Sequence, residues 1–285
     1  MSYNLSSLAA YTDQMSFDAI SNAVLQTNLM EYATLRAGLK AGTTAVNILD
    51  ADIAIGTRTC DWTPDGSISF TQVDLVMNEY QTKQSLCPTL LREVYLAEKI
   101  SATAHAEEVP FEEVVFNLWI EKIKNANEAQ LATDLIAAVV AGGTSTSQAS
   151  ASTSLTILDD VYALYDAIDP AYMGREDLAV MMSPAMFNLL RRALVAQNLF
   201  HAAPSDNNNE LVIPGTDIKA VKGTFSGATM IAGPMKDVII GVGLEGDDEN
   251  LKIFYSQDND QVRVMAAWRL GLAVVNAAAW SYNGL

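Results

Sequence analysis

From Pro110 to Ala141 the chain reads PFEEVVFNLWIEKIKNANEAQLATDLIAAVVA, with no internal proline or glycine. Phe111, Val114, Val115, Leu118, Trp119 and Ile123 recur at helical spacing; Leu131, Leu135, Ile136 and Val139 resume it beyond a polar stretch from Lys122 to Gln130. Pro110 suits a first helical turn, where its missing N–H costs nothing. Glu112 and Glu113 then meet the positive end of the helix dipole, and Gly142 and Gly143 supply a stop. The pattern predicts a helix over 110–141, about 45–50 Å long at its ordinary rise. It is read as packed at both ends, with a polar middle, and serving as a beam across something larger than its own core.

Ahead of this helix the pattern is weaker. Residues 1–15 are polar with scattered aromatics and read as an extended arm. Ser16 opens a helical pattern that Gly38 ends, with Phe17, Ile20, Val24 and Leu25 on one side. Between 41 and 76, short β-type runs (Val46–Leu49, Ile53–Ile55, Ser67–Phe70) are separated by Gly, Asp and Pro, and Pro64-Asp65-Gly66 marks a turn. This is a long hairpin or extended loop with too little apolar surface for a core of its own, so it needs a neighbour. A strand-like segment and a helix around Pro88–Ile100 lead into the long helix.

After the small-residue run GGTSTSQASASTS (142–154), expected to be a flexible junction, the pattern becomes α/β-like. LTILDDVYALYDAI is an amphipathic helix ended near Asp169-Pro170, and LAVMMS is a buried strand. Ser183 caps a helix whose first position is Pro184. LVIPGTDIKAVKG, ATMIAG, DVIIGVG and LKIFYSQ read as short strands, and VRVMAAWRLGLAVVNAAAW as a long closing one.

Composition sharpens the picture. Of 285 residues, 50% are hydrophobic and 18% charged, which is apolar for a monomer and points to extensive subunit contact. The net charge of −17 argues against nucleic-acid reading, which needs clustered Lys and Arg. Cys60 and Cys87 lie 27 positions apart without zinc spacing, so a reduced compartment is expected. No leader pattern opens the chain and no apolar run approaches a membrane span, so cytosolic synthesis is expected.

Candidate chemistry is thin. Gly241, Gly243 and Gly246 match GxGxxG, but a dinucleotide site needs a helix to start there, and Asp247, Asp248 and Glu249 would repel phosphate. A glycine-rich strand and turn is the better reading. His105 and His201 belong to no triad or metal motif, and the acidic turns at 247–249 and 258–260 lack calcium-loop spacing. There is no P-loop. No catalytic, cofactor-binding or metal residue is assigned. Trp119, Trp268 and Trp280 fit core or interface positions, whereas Trp62 sits in the extended loop and needs a partner surface.

The order of these pieces resembles the major capsid proteins of tailed bacteriophages, the Hong Kong 97 fold. WTPDGSISF (62–70) is similar to that family's returning loop segment, and AVMMSPAMFNLLRRAL (179–194) to its strand, Pro-capped helix pair. LVIPGTDIKAVKG (211–223) resembles its Gly/Pro passage in altered order. ATMIAGPMKDVIIGVG resembles its later strand pair, and the segment ending in AAAW its closing strand. The resemblance implies an α+β fold: an N-terminal arm and helix (1–39), an extended loop (40–76), a peripheral domain with the spine helix (77–148), an axial α/β domain (149–261) and a return strand (262–285). It implies a non-enzymatic shell subunit forming pentamers and hexamers around double-stranded DNA, without sequence-specific binding, membrane or cofactor. Scaffolding, portal and decoration proteins are its implied partners, the host cytoplasm its place of assembly and the virion capsid its destination. Tyr11, Phe17, Ile53, Ile55, Trp62 and Phe70 are then the expected subunit-contact residues. Two departures matter. No charged coiled-coil segment precedes residue 16, which implies a separate or removed scaffold, and Lys40 is the only lysine between 37 and 82, so a cross-link at the loop tip is not supported. Two alternatives stay open: an encapsulin-type compartment shell, and a soluble α/β enzyme or ligand binder using 155–261.

Overall fold

The computed structural model describes residues 28–40, 42–53, 66–86, 111–146, 152–197, 209–216, 218–243, 252–256 and 261–283. Its longest helix, α2 (Phe111–Gly142, after the short α1, Asn28–Tyr32), falls within one residue of the predicted span. Gly143 N–H closes it on Val139 O at 2.7 Å. The start of the expected flexible junction is a strand instead, β4 (Thr144–Thr146), because Thr144 N–H donates to Trp280 O and the segment pairs in parallel with β12 (Ser281–Asn283).

Two sheets carry the described strands. The first runs β1 (Thr34–Ala37), β9 (Val238–Val242), β11 (Gln261–Val274), β3 (Gly66–Leu86), β2 (Gly42–Ile53), with β10 (Lys252–Ser256) also on β11. The second runs β4, β12, β8 (Met230–Pro234), β5 (Leu178–Met182), β7 (Lys219–Lys222), β6 (Glu210–Val212). Helices α3 (Ile157–Asp166) and α4 (Pro184–Ala196) cover one face of the second sheet. Period-two alternation decides the rest. Leu178, Val180 and Met182 meet α3 and α4, while Ala179 and Met181 meet Leu131, Leu135 and Val139 of α2. A central strand buried on both faces reads as the continuous run LAVMM. Ser183 caps α4 as expected, accepting from Met186 N–H at 3.3 Å, with Pro184 in the first turn.

Helix α2 packs on both sheets, since Trp119 and Ile123 share a core with Trp268, Leu270 and Val274 of β11. Its polar middle packs as well, in addition to the two ends expected from the sequence. Asn127 and Glu128 are buried; Asn127 Oδ1 accepts from Trp268 Nε1 at 2.9 Å, and Glu128 accepts from the Thr224 hydroxyl. The helix therefore spends its polar middle on directed bonds to β11 and to the loop after β7. Leu118, counted among the packing positions, is exposed.

Other differences have physical causes. The helical pattern predicted to run from Ser16 to Gly38 gives, in its described part, only α1, because Thr34–Ala37 pairs with β9 as a parallel strand. The predicted long closing strand stops at Val274; a short 3-10 turn (Ala277–Ala279) then carries the chain into β12 of the other sheet. A second crossing, the 3-10 turn Met235–Asp237, joins β8 to β9. The two crossings lie side by side, since Val275 N–H donates to Asp237 O at 2.9 Å. Arg175 ties the second crossing to the start of β5: its guanidinium reaches Asp177 at 2.7 Å and Asp237 at 2.9 Å. Strands β9 and β10, placed by sequence with 149–261, thus share a sheet with β11. The helix expected around Pro88–Ile100 lies outside the described residues.

Candidate interaction site

The three short β-runs predicted between 41 and 76 form, within the described residues, two long strands. β2 and β3 pair antiparallel from Gly42 opposite Met77 out to Ile53 opposite Gly66, one residue for one, without a bulge. Beyond Met77, β3 continues without a break and pairs with β11 from Asn78 opposite Leu270 to Leu86 opposite Val262. The strand is one continuous element, anchored along half its length and projecting along the other.

The base is held by a small core. Val46, Leu75 and Met77 pack with Ile239 and Ala273, on the face of β9 and β11 away from α2. Met77 Sδ lies 2.5 Å from where a Cβ at Gly241 would stand and 3.0 Å from one at Gly271. Two glycines thus open the slot that seats the hairpin base. This accounts for Gly241 of the GxGxxG match in packing terms, and the strand ends at Val242.

Further out the apolar face changes side. Val46 lies opposite Val73 and, with Leu75 and Met77 at alternate positions of β3, shares one face, which is turned inward. Leu49, Ile68 and Phe70 stand an odd number of residues from these along their own strands, and Leu49 lies directly opposite Phe70. With no bulge to turn the pleat, these three sit on the reverse face of the ribbon. They are 64%, 67% and 77% exposed. Between the two zones Gln72 Nε2 donates to Asn47 Oδ1 at 2.8 Å, on the outward face. The inward face at the tip is polar, with Ser67, Ser69 and Thr71 all exposed. One ribbon therefore presents one apolar face to its own body and an opposite apolar face that nothing among the described residues covers. Covering Leu49, Ile68 and Phe70 would contribute roughly 1.5–3 kcal/mol for each side chain fully buried.

Of the contact residues expected from sequence, Phe70 lies on this apolar face and Ile53 at the outer end of β2, opposite Gly66. Tyr11, Phe17, Ile55 and Trp62 lie outside the described residues. Leu49 and Ile68 join Phe70 and were not singled out by sequence. The parity switch between Val46 and Leu49 is the signal that marks them.

No site of another kind competes. Among the described residues there is no group of three or more His, Cys, Asp or Glu placed to hold a metal ion, and no helix is long and apolar enough to cross a membrane.

No family model matches the chain, and no curated protein does. Solved structures do. The Satellite phage P4 procapsid is similar at a TM-score of 0.60 and 10% identity, covering 93% of this chain and 89% of that one. The capsid of the Cyanophage P-SCSP1u gives 0.55 and 9%, covering 88% and 86%. The virus-like particle from Pyrococcus furiosus gives 0.54 and 12%, covering 93% and 96%. At these identities the likeness is one of fold. The chain has the mixed α/β fold of phage capsid structures, consistent with the Hong Kong 97 type.

Proposed function

We propose that this chain is the major capsid protein of a tailed bacteriophage, a non-enzymatic subunit that assembles with copies of itself into pentamers and hexamers of an icosahedral shell around double-stranded DNA. The observation that carries the reading is the hairpin: Leu49, Ile68 and Phe70 are exposed on the face opposite the one its own body covers. An exposed apolar face of this kind marks a surface for a partner to cover. The likeness to capsid folds supports a neighbouring copy as that second surface.

In this reading residues 40–76 are the extended loop, 77–148 the peripheral domain with α2 as its spine, 149–261 the axial domain save for β9 and β10, which join the sheet of β11 and β3, and 262–285 the return segment. The arm of residues 1–15 and the loop lie across neighbours, with Tyr11, Phe17, Ile53, Ile55, Trp62 and Phe70 among the contacts, joined by Leu49 and Ile68. Many contacts of modest strength share the load, as symmetric assemblies require. A surface of net charge −17 encloses DNA without gripping it. Scaffolding, portal and decoration proteins complete the particle, which is built in the host cytoplasm and ends as the virion capsid.

Expression of the full chain, alone and with candidate scaffolding protein, followed by negative-stain microscopy, tests this. Closed shells or rings support it; monomers under all conditions of salt, concentration and scaffold contradict it. Shells isolated with protein cargo in place of DNA would assign the chain to an encapsulin-type compartment.

A further inference from the structure

Helices α3 and α4, side by side on the second sheet, expose opposite charges. From Ser152 to Asp169 the chain has four aspartates (Asp159, Asp160, Asp166, Asp169) and no lysine or arginine. Helix α4 has Arg191 and Arg192 and no acid. Both arginines are exposed, and among the described residues neither makes an ion pair. Asp159 and Asp166 are exposed and Asp160 is half-buried, and their carboxylates have no partner among the described residues. Each charged group also flanks an exposed aliphatic side chain. Leu155 stands four residues before Asp159 and is 80% exposed, and Val195 stands one turn beyond Arg191 and is 57% exposed.

Opposite charge makes these two halves of one contact. Helix α3 packs over β12 and β8, and α4 over β7, with the two helices touching along their inner flanks. Such neighbouring patches can meet their complements in a self-complementary pair or head to tail, and the shell reading supports the second. Joined head to tail, they close into a ring where the rotation allows. Two arginines on so acidic a chain are too few to hold nucleic acid, whose binding scales with the number of phosphates neutralised.

We propose that Arg191, Arg192 and Val195 of one copy dock on Asp159, Asp160 and Leu155 of the next, forming the contact between neighbours within a ring of subunits. This rests on the shell reading and names the ring contact that reading leaves open. The charges set register and partner orientation while Leu155 and Val195 supply apolar burial. Exposed pairs are screened over about 10 Å at 0.1 M salt, so ring formation weakens as salt rises.

Charge reversal tests the contact. The chains R191E/R192E and D159K/D160K, each checked for native circular dichroism and melting, are expected to lose rings by native mass spectrometry. The chain carrying all four substitutions restores attraction at every contact and is expected to regain rings of five and six. An equimolar mixture of the two double variants can only alternate around a ring, so it is expected to give six-membered rings without five-membered ones. Rings unchanged in either double variant, or a folded fourfold variant without rings, overturn the proposal while leaving the shell reading in place. A wild-type chain that forms no ring under any condition overturns both. Nucleic-acid retention lost in R191E/R192E, with rings intact, assigns the arginines to nucleic acid instead.

Discussion

The indole N–H of Trp268 donates to Asn127 Oδ1 at 2.9 Å, and both residues are buried, at 8% and 3% exposure. This bond ties the centre of the 32-residue helix to the long strand β11. Removing the acceptor leaves a buried donor without a partner, which costs roughly 1–3 kcal/mol. Asn127→Leu is therefore expected to lower the melting temperature, and Trp268→Phe in the same chain to recover part of the loss. A double-mutant cycle by thermal denaturation checks the coupling.

The parity switch in the hairpin separates folding from assembly. Leu49→Ser and Phe70→Ser remove side chains that touch water in the isolated subunit, so stability is expected to stay within about 0.5 kcal/mol. Leu75→Ala opens a cavity in the base core and is expected to cost about 2–5 kcal/mol. Melting curves set beside sedimentation profiles decide this. The tip variants are expected to melt normally and fail to assemble, and the base variant to melt early.

Trp280 is fully buried against Gly233, where an added Cβ would lie 2.7 Å from Cε3 of the ring. Backbone pairing of β8 with both β5 and β12 leaves neither partner room to retreat. Gly233→Ala is expected to destabilise the fold by about 1–3 kcal/mol through overpacking. Chemical denaturation with an unchanged slope is the check.

Acid acts on the crossing between the sheets. Burial would raise the Asp177 carboxyl, but the Arg175 guanidinium outweighs it, and with the backbone N–H groups of Asp177 and Lys236 holds it below the ordinary carboxylate range. A depressed folded-state value means stability that is complete above the unfolded value of about 3.9 and lost as pH falls through the lower folded one. Asp177→Asn is therefore expected to melt below wild type at neutral pH, with the gap narrowing as pH falls through the acid range. Melting temperatures of both chains across that range test the sign.

Elements with strong local periodicity were readable in the sequence. The long helix, the Ser183 cap and the buried strand at Leu178–Met182 emerge where periodicity or capping chemistry points to one structure. Non-local pairing was not readable. Thr34–Ala37 continued a helical pattern and became a strand because β9 offers it an edge. The burial of the polar residues Asn127 and Glu128 was not readable because their partners, Trp268 and Thr224, lie 141 and 96 positions away. In the hairpin, the run Val46–Leu49 was visible, but the reversal of its apolar face needed the register with Val73 and Phe70. The exposed apolar face was thus half legible: Phe70 is named by the sequence reading, whereas Leu49 and Ile68 required the pairing.

The central claim is that α2 is the spine of a subunit that builds closed shells. Ala126 is exposed near its middle, so Ala126→Pro removes no core contact yet breaks the helix at a cost of about 3 kcal/mol or more. Electron microscopy of particles from wild-type and Ala126→Pro chains, expressed in parallel, is the most direct measurement. The expected result is closed shells from wild type and none from the variant. Wild-type chains that stay monomeric under every assembly condition, or normal shells from the variant, would contradict it.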